Sequence, residues 1–328
     1  MYKIDGHQVE LEYREYRFEK DFPMFALLEG TFPFPKPMGQ LEFLHFHNCV
    51  EIGVCRKGRQ ILYVENKIMD FQPGDICVIP PYAMHMMRRH PENGDPISCE
   101  YIYFQPESMM ERLGMGEGLE QLKWYQRMKG NYVLSPGSRG ADISASVGGI
   151  LEELRKKDSH GRAAAAGYFL ILSAALAREI PFEGGALPEA YYQREIIFPA
   201  LSYMSRHFSQ PMTVGQLAER CGMGREQFSS CFVCLMGRTP IGYLRMVRLN
   251  HACELLAGTE KKIIDVALES GFSSVSSFNR YFSEMFSVTP SRWRKETCAI
   301  PKKGVGHSAF VPAQSESSGK MNHEEENA

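Results

Sequence analysis

Two histidines and a glutamate lie close together in the stretch LHFHNCVEIGVCRKG, which spans residues 44–58. His45 and His47 are two residues apart, so on a β-strand their side chains would face the same way, and Glu51 follows four residues later. Imidazole and carboxylate groups bind divalent iron, manganese, nickel and zinc. The spacing leaves two hypotheses open: a metal centre that does chemistry, or the frame of a pocket that only senses a ligand.

Short β-rich runs separated by turn residues occupy residues 22–104, and these runs must position the two histidines. They are FALLEG, EFLHFH, VEIGVC, QILYVEN, ICVIPP and ISCEYIYF, with Pro and Gly between them. Many short strands at close spacing are typical of an antiparallel barrel or sandwich. The sequence therefore predicts a β-rich domain around the histidine motif.

Helical periodicity replaces this pattern after about residue 140. Apolar residues recur three and four positions apart from Ile143 to Leu154, and an alanine-rich run follows at 163–179. The pattern predicts two helices that pack on each other or on the same helices of a second copy. The stretch PFEGGALPEA at 181–190 has the Pro and Gly content of a linker, which predicts a domain boundary there.

Composition and charge limit the classes of protein that this chain can be. Its 328 residues, 44% hydrophobic and 23% charged, leave room for about two domains. The nine cysteines form no paired framework and follow no charged-then-apolar leader, so we expect a reducing cytoplasm. The longest apolar stretch, at 168–177, is shorter than the roughly 20 residues that cross a bilayer. Residues 190–299 carry a net charge of plus 4, which is compatible with a polyanionic partner.

The C-terminal region contains a weak internal duplication. LAERCGM at 217–223 aligns with VALESGF at 266–272, and FSSCF at 228–232 aligns with FNRYF at 278–282. Each copy predicts a helix, a glycine-bearing turn and a second helix whose phenylalanines form a buried stripe. This arrangement is typical of a helix-turn-helix, whose second helix enters a major groove. We expect Ser273 to be the N-cap of the second helix in the second copy.

The second copy resembles the AraC/XylS family of bacterial transcription regulators over IIDVALESGFSSVSSFNRYFSEMFSVTPSRWR, residues 263–294. The positions that match the family pattern are Ala267, Gly271, Phe272, Ser273, Phe278, Arg280, Phe282, Thr289, Pro290, Ser291 and Arg294. The first copy matches less well, through Leu217, Ala218, Phe228, Phe232, Gly237, Pro240, Leu244, Arg248, Leu249, Ala252, Leu255 and Leu256. The resemblance covers about residues 192–296 and implies two helix-turn-helix units joined by a long helix.

The resemblance also implies which side chains face DNA. They are Arg225, Glu226, Ser229 and Ser230 on the first recognition helix, and Ser274, Val275, Ser276, Asn279 and Arg280 on the second. The Arg280 guanidinium suits guanine, and the Asn279 amide suits adenine. In the first unit, Ser230 stands where the family usually has arginine, so we expect that helix to read fewer bases.

The histidine stretch resembles the first cupin motif, and PGDICVIPPYAMH at 73–85 resembles the second. The first motif runs from Gly39 to Gly58. The second matches at Gly74, Pro80 and His85, whereas Tyr82 replaces the usual glycine. The resemblance implies a small antiparallel β-barrel in which three histidines and a glutamate converge from adjoining strands.

The metal ligands that this resemblance implies are His45, His47, Glu51 and His85. The same four residues, with Tyr63 and either Tyr101 or Tyr103, are predicted to line an effector pocket suited to a sugar or a small organic acid. A metal with an open coordination position could do oxygen or isomerase chemistry. Regulators of this family often keep part of the histidine pattern as pocket lining without metal, so both interpretations stay open.

These observations predict an α+β multidomain fold with an antiparallel, cupin-like β-barrel at the N-terminus and an all-α domain at the C-terminus. The predicted units are a ligand-sensing domain at 1–135, a helical dimerisation segment and linker at 136–190, a DNA-binding domain at 191–297 with helix-turn-helix units at about 214–235 and 263–285, and a disordered tail at 298–328.

The function that we predict is a sequence-specific, DNA-binding transcription regulator whose cupin-like domain senses a small molecule and biases the DNA-binding domains. The expected partners are double-stranded DNA, the effector, a second copy in a homodimer and, for an activator, RNA polymerase. The expected location of the protein is the bacterial cytoplasm, in association with the nucleoid and not with the membrane. We predict no catalytic residue. We also predict no required cofactor, and the divalent metal is the one candidate. The alternative is a metal-dependent cupin enzyme whose C-terminal helices serve assembly.

Overall fold

The computed structural model describes most of the chain. The residues described are 2–4, 7–28, 43–115, 124–126, 128, 132–135, 141–156, 158–180 and 189–298. Gly39 of the first cupin motif, residues 181–188 of the predicted linker and residues 299–328 of the predicted tail lie outside them. Among the described helices, none is both long enough and apolar enough to span a membrane.

The described strands form two sheets in the N-terminal half of the chain. The six-stranded sheet contains, from one edge to the other, β1 (Tyr2–Ile4), β2 (His7–Arg14), β4 (Phe43–His47), β9 (His85–Arg89), β6 (Gln60–Val64) and β7 (Lys67–Phe71). The five-stranded sheet contains β11 (Val133–Leu134), β8 (Ile76–Ile79), β5 (Val50–Lys57), β10 (Ser98–Phe104) and β3 (Met24–Leu27). Inward side chains of both sheets, such as Val64 and Ile52, belong to one buried core.

These sheets differ from the predicted barrel in two ways. Within the described residues, no strand pair joins one sheet to the other, so the strands form two sheets rather than a closed barrel. In addition, β2 runs parallel to β4, whereas the other described strand pairs are antiparallel. A parallel pair needs a long connection, and here the chain crosses to the other sheet as β3 before it returns. The α+β class and the β-rich N-terminal domain are confirmed.

Helices follow the strands and cover part of this core. They are α1 (Pro106–Arg112), a short 3₁₀ helix at Trp124–Gln126, α2 (Ala141–Lys156) and α3 (Ser159–Glu179). The α2 and α3 helices pack closely on each other, since a Cβ added at Gly149 would lie 2.6 Å from the Tyr168 ring. The α3 residue Phe169 meets Phe104 of β10 edge to face, with ring centroids 5.3 Å apart. Of the two arrangements that the periodicity allowed, the first is therefore present within one chain.

Seven helices form the C-terminal part of the described chain. They are α4 (Glu189–His207), α5 (Val214–Arg220), α6 (Arg225–Met236), α7 (Pro240–Gly258), α8 (Ile263–Glu269), α9 (Val275–Phe286) and α10 (Pro290–Cys298). The α5 and α6 helices make the first helix-turn-helix unit, α8 and α9 make the second, and α7 joins the two units. The duplicated sequence therefore folds as a duplicated structure.

Hydrogen bonds at the helix ends explain where these helices begin. At the start of α5, Thr213 forms a capping box with Gln216. The α6 helix begins after Gly224, which offers no side-chain cap. The N-cap of α9 is Ser274 rather than the predicted Ser273, and its hydroxyl accepts a hydrogen bond from the backbone N–H of Ser277 at 3.2 Å. The extra residue in the second turn moves the helix start by one position.

The two helix-turn-helix units have equivalent phenylalanine cores. Phe228 and Phe232 of α6 are fully buried, with ring centroids 5.5 Å apart, and Phe278 and Phe282 of α9 are fully buried at the same 5.5 Å. Trp293 of α10 completes the second core, with its ring 6.2 Å from that of Phe282. Burial of these rings provides the main apolar stabilisation of each unit.

The core of the first unit continues onto the outer face of the six-stranded sheet. Apolar residues of β2, β4, β6, β9 and the segment that leads into β9 form one buried cluster with α4 and the first unit. On the sheet side its members are Val9, Leu11, Tyr13, Leu44, Phe46, Tyr63, Met84 and Met86, and on α4 they are Ile197, Ala200, Leu201 and Met204. Part of this sheet is therefore covered on both faces, and along the cluster its side chains share one core with α4 and the first helix-turn-helix unit.

Alanine substitutions at the two turn glycines test this packing. Gly222 and Gly271 have φ of +64° and +84°; a Cβ at Gly222 would meet no described atom within 4 Å, whereas one at Gly271 would lie 2.8 Å from the Phe208 carbonyl oxygen and the Ser209 Cα. We expect Gly222→Ala to lower the free energy of unfolding by about 1–2 kcal/mol, the cost of the left-handed conformation, and Gly271→Ala to lower it by clearly more. Urea unfolding followed by circular dichroism measures both losses. Equal losses would contradict the close contact at Gly271.

Candidate functional site

Strand alternation gives β4 two different faces. His45 and His47 point to the inner side of the six-stranded sheet, where the His45 ring lies 4.1 Å, centroid to centroid, from that of His85 on β9. Leu44 and Phe46 point to the outer side and join the cluster with α4. The same short strand therefore carries the histidines on one face and the contact with the DNA-binding region on the other.

The structure brings the four predicted ligands together. Glu51 reaches the histidines from β5 of the opposite sheet, and one ligand atom from each of the four residues lies within 4.8 Å of the others. His47, Glu51 and His85 are buried, and His45 is half-buried. The His47 and His85 rings meet edge to face, with centroids 4.8 Å apart.

Hydrogen bonds orient two of these rings. Nδ1 of His47 lies 3.0 Å from the Cys49 carbonyl oxygen, and Nδ1 of His85 lies 2.9 Å from that of Ala83, so each Nδ1 carries the hydrogen and donates it. The Nε2 of a neutral ring then carries a lone pair, and the Nε2 atoms of His47 and His85 lie 2.9 and 3.3 Å from the same Oε2 of Glu51. Three hydrogen-bond acceptors therefore lie close together: Nε2 of His47, Nε2 of His85 and Oε2 of Glu51. A cation between them, either a proton or a metal ion, offsets the repulsion of their lone pairs.

Burial and neighbouring groups act in opposite directions on the charges of this site. Burial lowers the pKa of His47 more than its hydrogen bond with Glu51 raises it. For Glu51, burial would raise the pKa, but attraction to His85 and the hydrogen bonds with His47 and His85 outweigh it and hold the pKa well below its usual range. Positive charge on the histidine side, from a proton or a metal ion, therefore keeps the Glu51 carboxylate ionised, whereas burial disfavours the charged form of His47.

This donor set fits a divalent metal ion. Three imidazoles and one carboxylate suit zinc, iron, manganese or nickel. Metal-binding histidines usually donate their second ring N–H to a carbonyl or carboxylate group, as His47 and His85 do here. A bound cation would also relieve the repulsion between the lone pairs of His47, His85 and Glu51.

Tyrosine rings complete the inner surface beside the histidines. The Tyr103 ring lies 5.8 Å from the His47 ring, in line with the prediction, and the Tyr101 ring stacks 6.3 Å from that of Tyr103. Tyr16 lies closer to His47, with ring centroids 5.4 Å apart. Tyr16 could not be predicted as a member of this surface, because it lies outside the β-rich runs and belongs to no motif.

Tyr63 does not join this group, which corrects the predicted pocket lining. It pairs with Met86 of β9, and its side chain belongs to the outer cluster that contacts α4. The Arg88 guanidinium lies 5.5 Å from the Tyr63 ring centroid on that side. Side chains alternate along β6, so its neighbours Leu62 and Val64 face the inner core instead.

The second recognition helix, α9, separates a buried side from an exposed one. Its phenylalanines are buried, while Ser276, Asn279 and Arg280 are exposed. The guanidinium of Arg280 lies 4.5 Å from the Tyr281 ring centroid, which restrains the side chain against the helix. The other two predicted contacts are less available, because the Ser274 hydroxyl caps the helix and Val275 is half-buried.

The first recognition helix, α6, exposes three of its four predicted DNA contacts. Arg225, Glu226 and Ser230 are exposed. Ser229 is half-buried, and its hydroxyl donates to the Arg225 carbonyl oxygen at 2.8 Å. Of the predicted contacts, one arginine, one serine and one carboxylate are therefore exposed on α6, and Gln227 beside them is exposed as well. That this helix reads fewer bases stays a prediction.

Two family models match the chain. The model described as an AraC-like ligand binding domain matches residues 38–172, and the model described as a helix-turn-helix domain matches residues 217–296. Together they cover about two thirds of the chain, including the histidine strands and both recognition helices.

Relatives with curated names fall into two groups. The HTH-type transcriptional activator RhaR of Klebsiella pneumoniae is 29% identical over 259 residues, which are 78% of this chain and 88% of that protein. The HTH-type transcriptional regulator AlkR of Acinetobacter baylyi is 32% identical over 98 residues, and the Melibiose operon regulatory protein of Escherichia coli K12 is 30% identical over 95 residues. These matches cover 30% and 29% of this chain, and the chain spans about a third of the length of each of those two relatives.

A solved structure of ToxT from Vibrio cholerae resembles the chain over 85% of its length and 96% of the ToxT chain. The sequence identity is 14% and the TM-score is 0.46.

Two replacements of Glu51 test the convergence of lone pairs. In protein treated with chelator, we expect Glu51→Gln to change the stability little, because the amide N–H donates to the imidazole nitrogens while the shape is kept. Glu51→Ala leaves those buried nitrogens without a donor and should cost about 1–3 kcal/mol. Differential scanning calorimetry compares the two variants. A loss with Gln as large as that with Ala would indicate charged imidazolium rings instead.

Proposed function

We propose, from the premise that this chain belongs to the AraC family of transcription regulators, that it recognises a specific DNA sequence through α6 and α9 and that a small molecule at the histidine site regulates this recognition. The chain has an AraC-type ligand-binding domain and a DNA-binding helix-turn-helix domain. Membership of this family of regulators favours a regulatory role over the alternative of a metal-dependent enzyme. The α9 surface carries the proposal, because its buried phenylalanines turn Ser276, Asn279 and Arg280 outward.

The side chains of α9 supply most of the proposed base reading. An arginine fork matches guanine, an asparagine amide matches adenine, and a serine hydroxyl binds either a base edge or a phosphate. The α6 surface adds Arg225 as a phosphate or base contact, and Glu226 can accept from the amino group of cytosine. Because α7 joins the two units, we propose that one chain occupies two successive major-groove sites.

A sugar or a small organic acid is the proposed class of effector. Imidazole nitrogens, the Glu51 carboxylate and the phenol groups of Tyr16 and Tyr103 can bind several hydroxyl groups within a small volume. The relative named for the melibiose operon matches over 95 residues only, so its name supports the regulatory role more than the choice of ligand.

We also propose a divalent metal ion at His45, His47, Glu51 and His85. Support comes from the donor set and from the hydrogen bonds that Nδ1 of His47 and Nδ1 of His85 donate to backbone carbonyl oxygens. A bound ion would place a positive charge where Glu51 and the imidazole lone pairs converge. It would also favour an effector that carries a carboxylate, since that group can complete the coordination.

The remaining proposals concern assembly and place. We propose a homodimer formed through the segment at 136–190, where Ile171 on α3 is 55% exposed, with sensing at 1–135 and DNA binding at 191–297. Two copies would place four recognition helices on one operator. As an activator, like the relative named RhaR, the protein would also contact RNA polymerase in the bacterial nucleoid.

Genome-wide mapping of bound DNA, followed by affinity measurement on the strongest site, tests the DNA-binding proposal. We expect Arg280→Ala to weaken binding to that site by about 1–3 kcal/mol and to relax specificity at one base pair. Lys67→Ala, which removes an exposed lysine of β7, serves as the control and should leave the affinity unchanged. An unchanged affinity for Arg280→Ala would remove Arg280 from the base-reading set.

Cobalt titration of chelator-treated protein tests the metal proposal. We expect visible absorption bands of Co²⁺ bound to nitrogen and oxygen ligands, and we expect the double variant His45→Ala, His47→Ala to lose them. His160→Ala removes an exposed histidine of α3 and should keep them. Absence of the bands in the unsubstituted protein would restrict the site to an organic effector.

A further inference from the structure

A buried arginine of α4 holds two groups of the sensor sheet. Arg194 donates from Nη1 and Nη2 to the two carboxylate oxygens of Glu65, at 2.6 and 2.9 Å, and from Nη1 to the Tyr82 carbonyl oxygen at 2.8 Å. Only 3% of Arg194 is exposed. A guanidinium bound in this bidentate way fixes both direction and distance, which a lysine at the same position would not do.

Both partners of Arg194 are tied to the backbone of the histidine site. The backbone N–H of Glu65 donates to the Met84 carbonyl oxygen at 2.8 Å, and the N–H of Met84 donates to the Glu65 carboxylate at 2.9 Å. The backbone N–H of Tyr82 donates to the His47 carbonyl oxygen at 2.8 Å. The segment Tyr82–His85 therefore has Arg194 and Glu65 on one side and His47 on the other.

The same two partners have unusual backbone conformations. Glu65 has a φ of +51° and Tyr82 a φ of +63°, and Ser287 is the one further non-glycine residue with positive φ among the described residues. Non-glycine residues keep this conformation only where surrounding contacts hold them. Tyr82 also stands where the cupin pattern usually has glycine. Arg194 binds one group of each strained residue, so it supplies part of the required restraint.

The other polar contacts between the sheet and the C-terminal helices involve a different part of the sensor. Arg206 and Ser202 of α4 both bind the Glu15 carboxylate, Ser202 at 2.9 Å. The Tyr243 hydroxyl accepts from the Tyr13 backbone N–H at 2.8 Å, and the Asn250 amide donates to Glu12 at 2.8 Å. All of these sensor residues lie on β2 or directly after it. None of these contacts involves the segment Tyr82–His85. Arg206 therefore serves as the control for Arg194, because it is the same residue type on the same helix and in the same interface, although it is exposed where Arg194 is buried.

We propose that Arg194 is a positioning residue for the sensing site: through Glu65 and Tyr82 it sets the position of the segment that carries His85, and it thereby links that site to α4 and the first helix-turn-helix unit. The inference rests on the proposed function in one respect, namely that the histidine site is the sensor. A ligand that moves His85 or His47 would change the fit of Arg194. Because coupling between two sites is reciprocal, a shift of α4 would also change the histidine site.

Side-chain ¹H–¹⁵N spectra of histidine in the full chain, with chelator and without DNA, test the proposal. The signals of His47 and His85 are assigned with His47→Gln and His85→Gln. We expect Arg194→Ala to shift both sets of imidazole signals and Arg206→Ala to leave them in place. Arg194→Lys, which keeps the charge and loses the fork, should restore them only in part. A general loss of stability would not move these signals selectively, so unchanged signals in Arg194→Ala, or equal shifts in Arg206→Ala, would overturn the proposal.

Hydrogen exchange of the same variants tests the link in the other direction. We expect His85→Ala to speed the exchange of amides in α4 by about threefold or more. In the Arg194→Ala background, His85→Ala should not speed this exchange further, because residues of one network do not act independently. With Arg206→Ala, the effect of His85→Ala should remain. Independent, multiplying effects of His85→Ala and Arg194→Ala would contradict the link.

A second variant keeps the test decisive if Arg194→Ala does not fold. Glu65→Gln loses the ion pair with Arg194 and retains an oxygen for the Met84 N–H, so it should shift the histidine signals while the chain stays folded; unshifted signals would reject the proposal. None of these measurements needs DNA or effector. Failure of DNA recognition with shifted histidine signals would therefore reject the proposed function alone, and normal DNA recognition with unshifted signals would reject the role of Arg194 alone.

Discussion

The packing of the six-stranded sheet against α4 is the contact on which the rest of the structure depends. It covers the outer face of β4 and β9, whose inner face lines the sensor core. Phe46 and His47 are neighbours along the chain, yet Phe46 lies in the interface with α4 and His47 lies in the sensor interior. A strand buried on both sides cannot tilt or shift without disturbing both cores, because interiors are close-packed. A movement of the histidines would therefore act directly on the DNA-binding region, because the same strand carries the histidines on one face and the interface residues on the other.

The parts of this molecule that depend on local sequence could be predicted well. The helix-turn-helix duplication followed from the phenylalanine spacing and the glycine of each turn, since these residues act within a few positions of each other. The convergence of His45, His47, Glu51 and His85 followed from the cupin resemblance, and the structure brings all four together. In both cases the information was carried by residue type at fixed spacing.

The parts that depend on contacts across the chain could not be predicted in this way. Nothing in the sequence indicates that β2 runs parallel to β4, since that pairing depends on the route of the intervening chain. The alternation of β6 places Tyr63 outward, and its phase cannot be read from a strand that is apolar on both faces. Arg194 belongs to no motif, and its importance is visible only from the two residues that it binds.

The two helix-turn-helix units differ in what their cores are joined to. The phenylalanines of the first unit belong to one cluster with the sensor sheet, whereas those of the second form a separate cluster with α8, α10 and the end of α7. Regions with separate cores open and close as separate cooperative units. The second unit therefore has a core of its own, whereas the core of the first unit is shared with the sensor sheet. Loosening of that sheet would weaken the first unit more directly than the second.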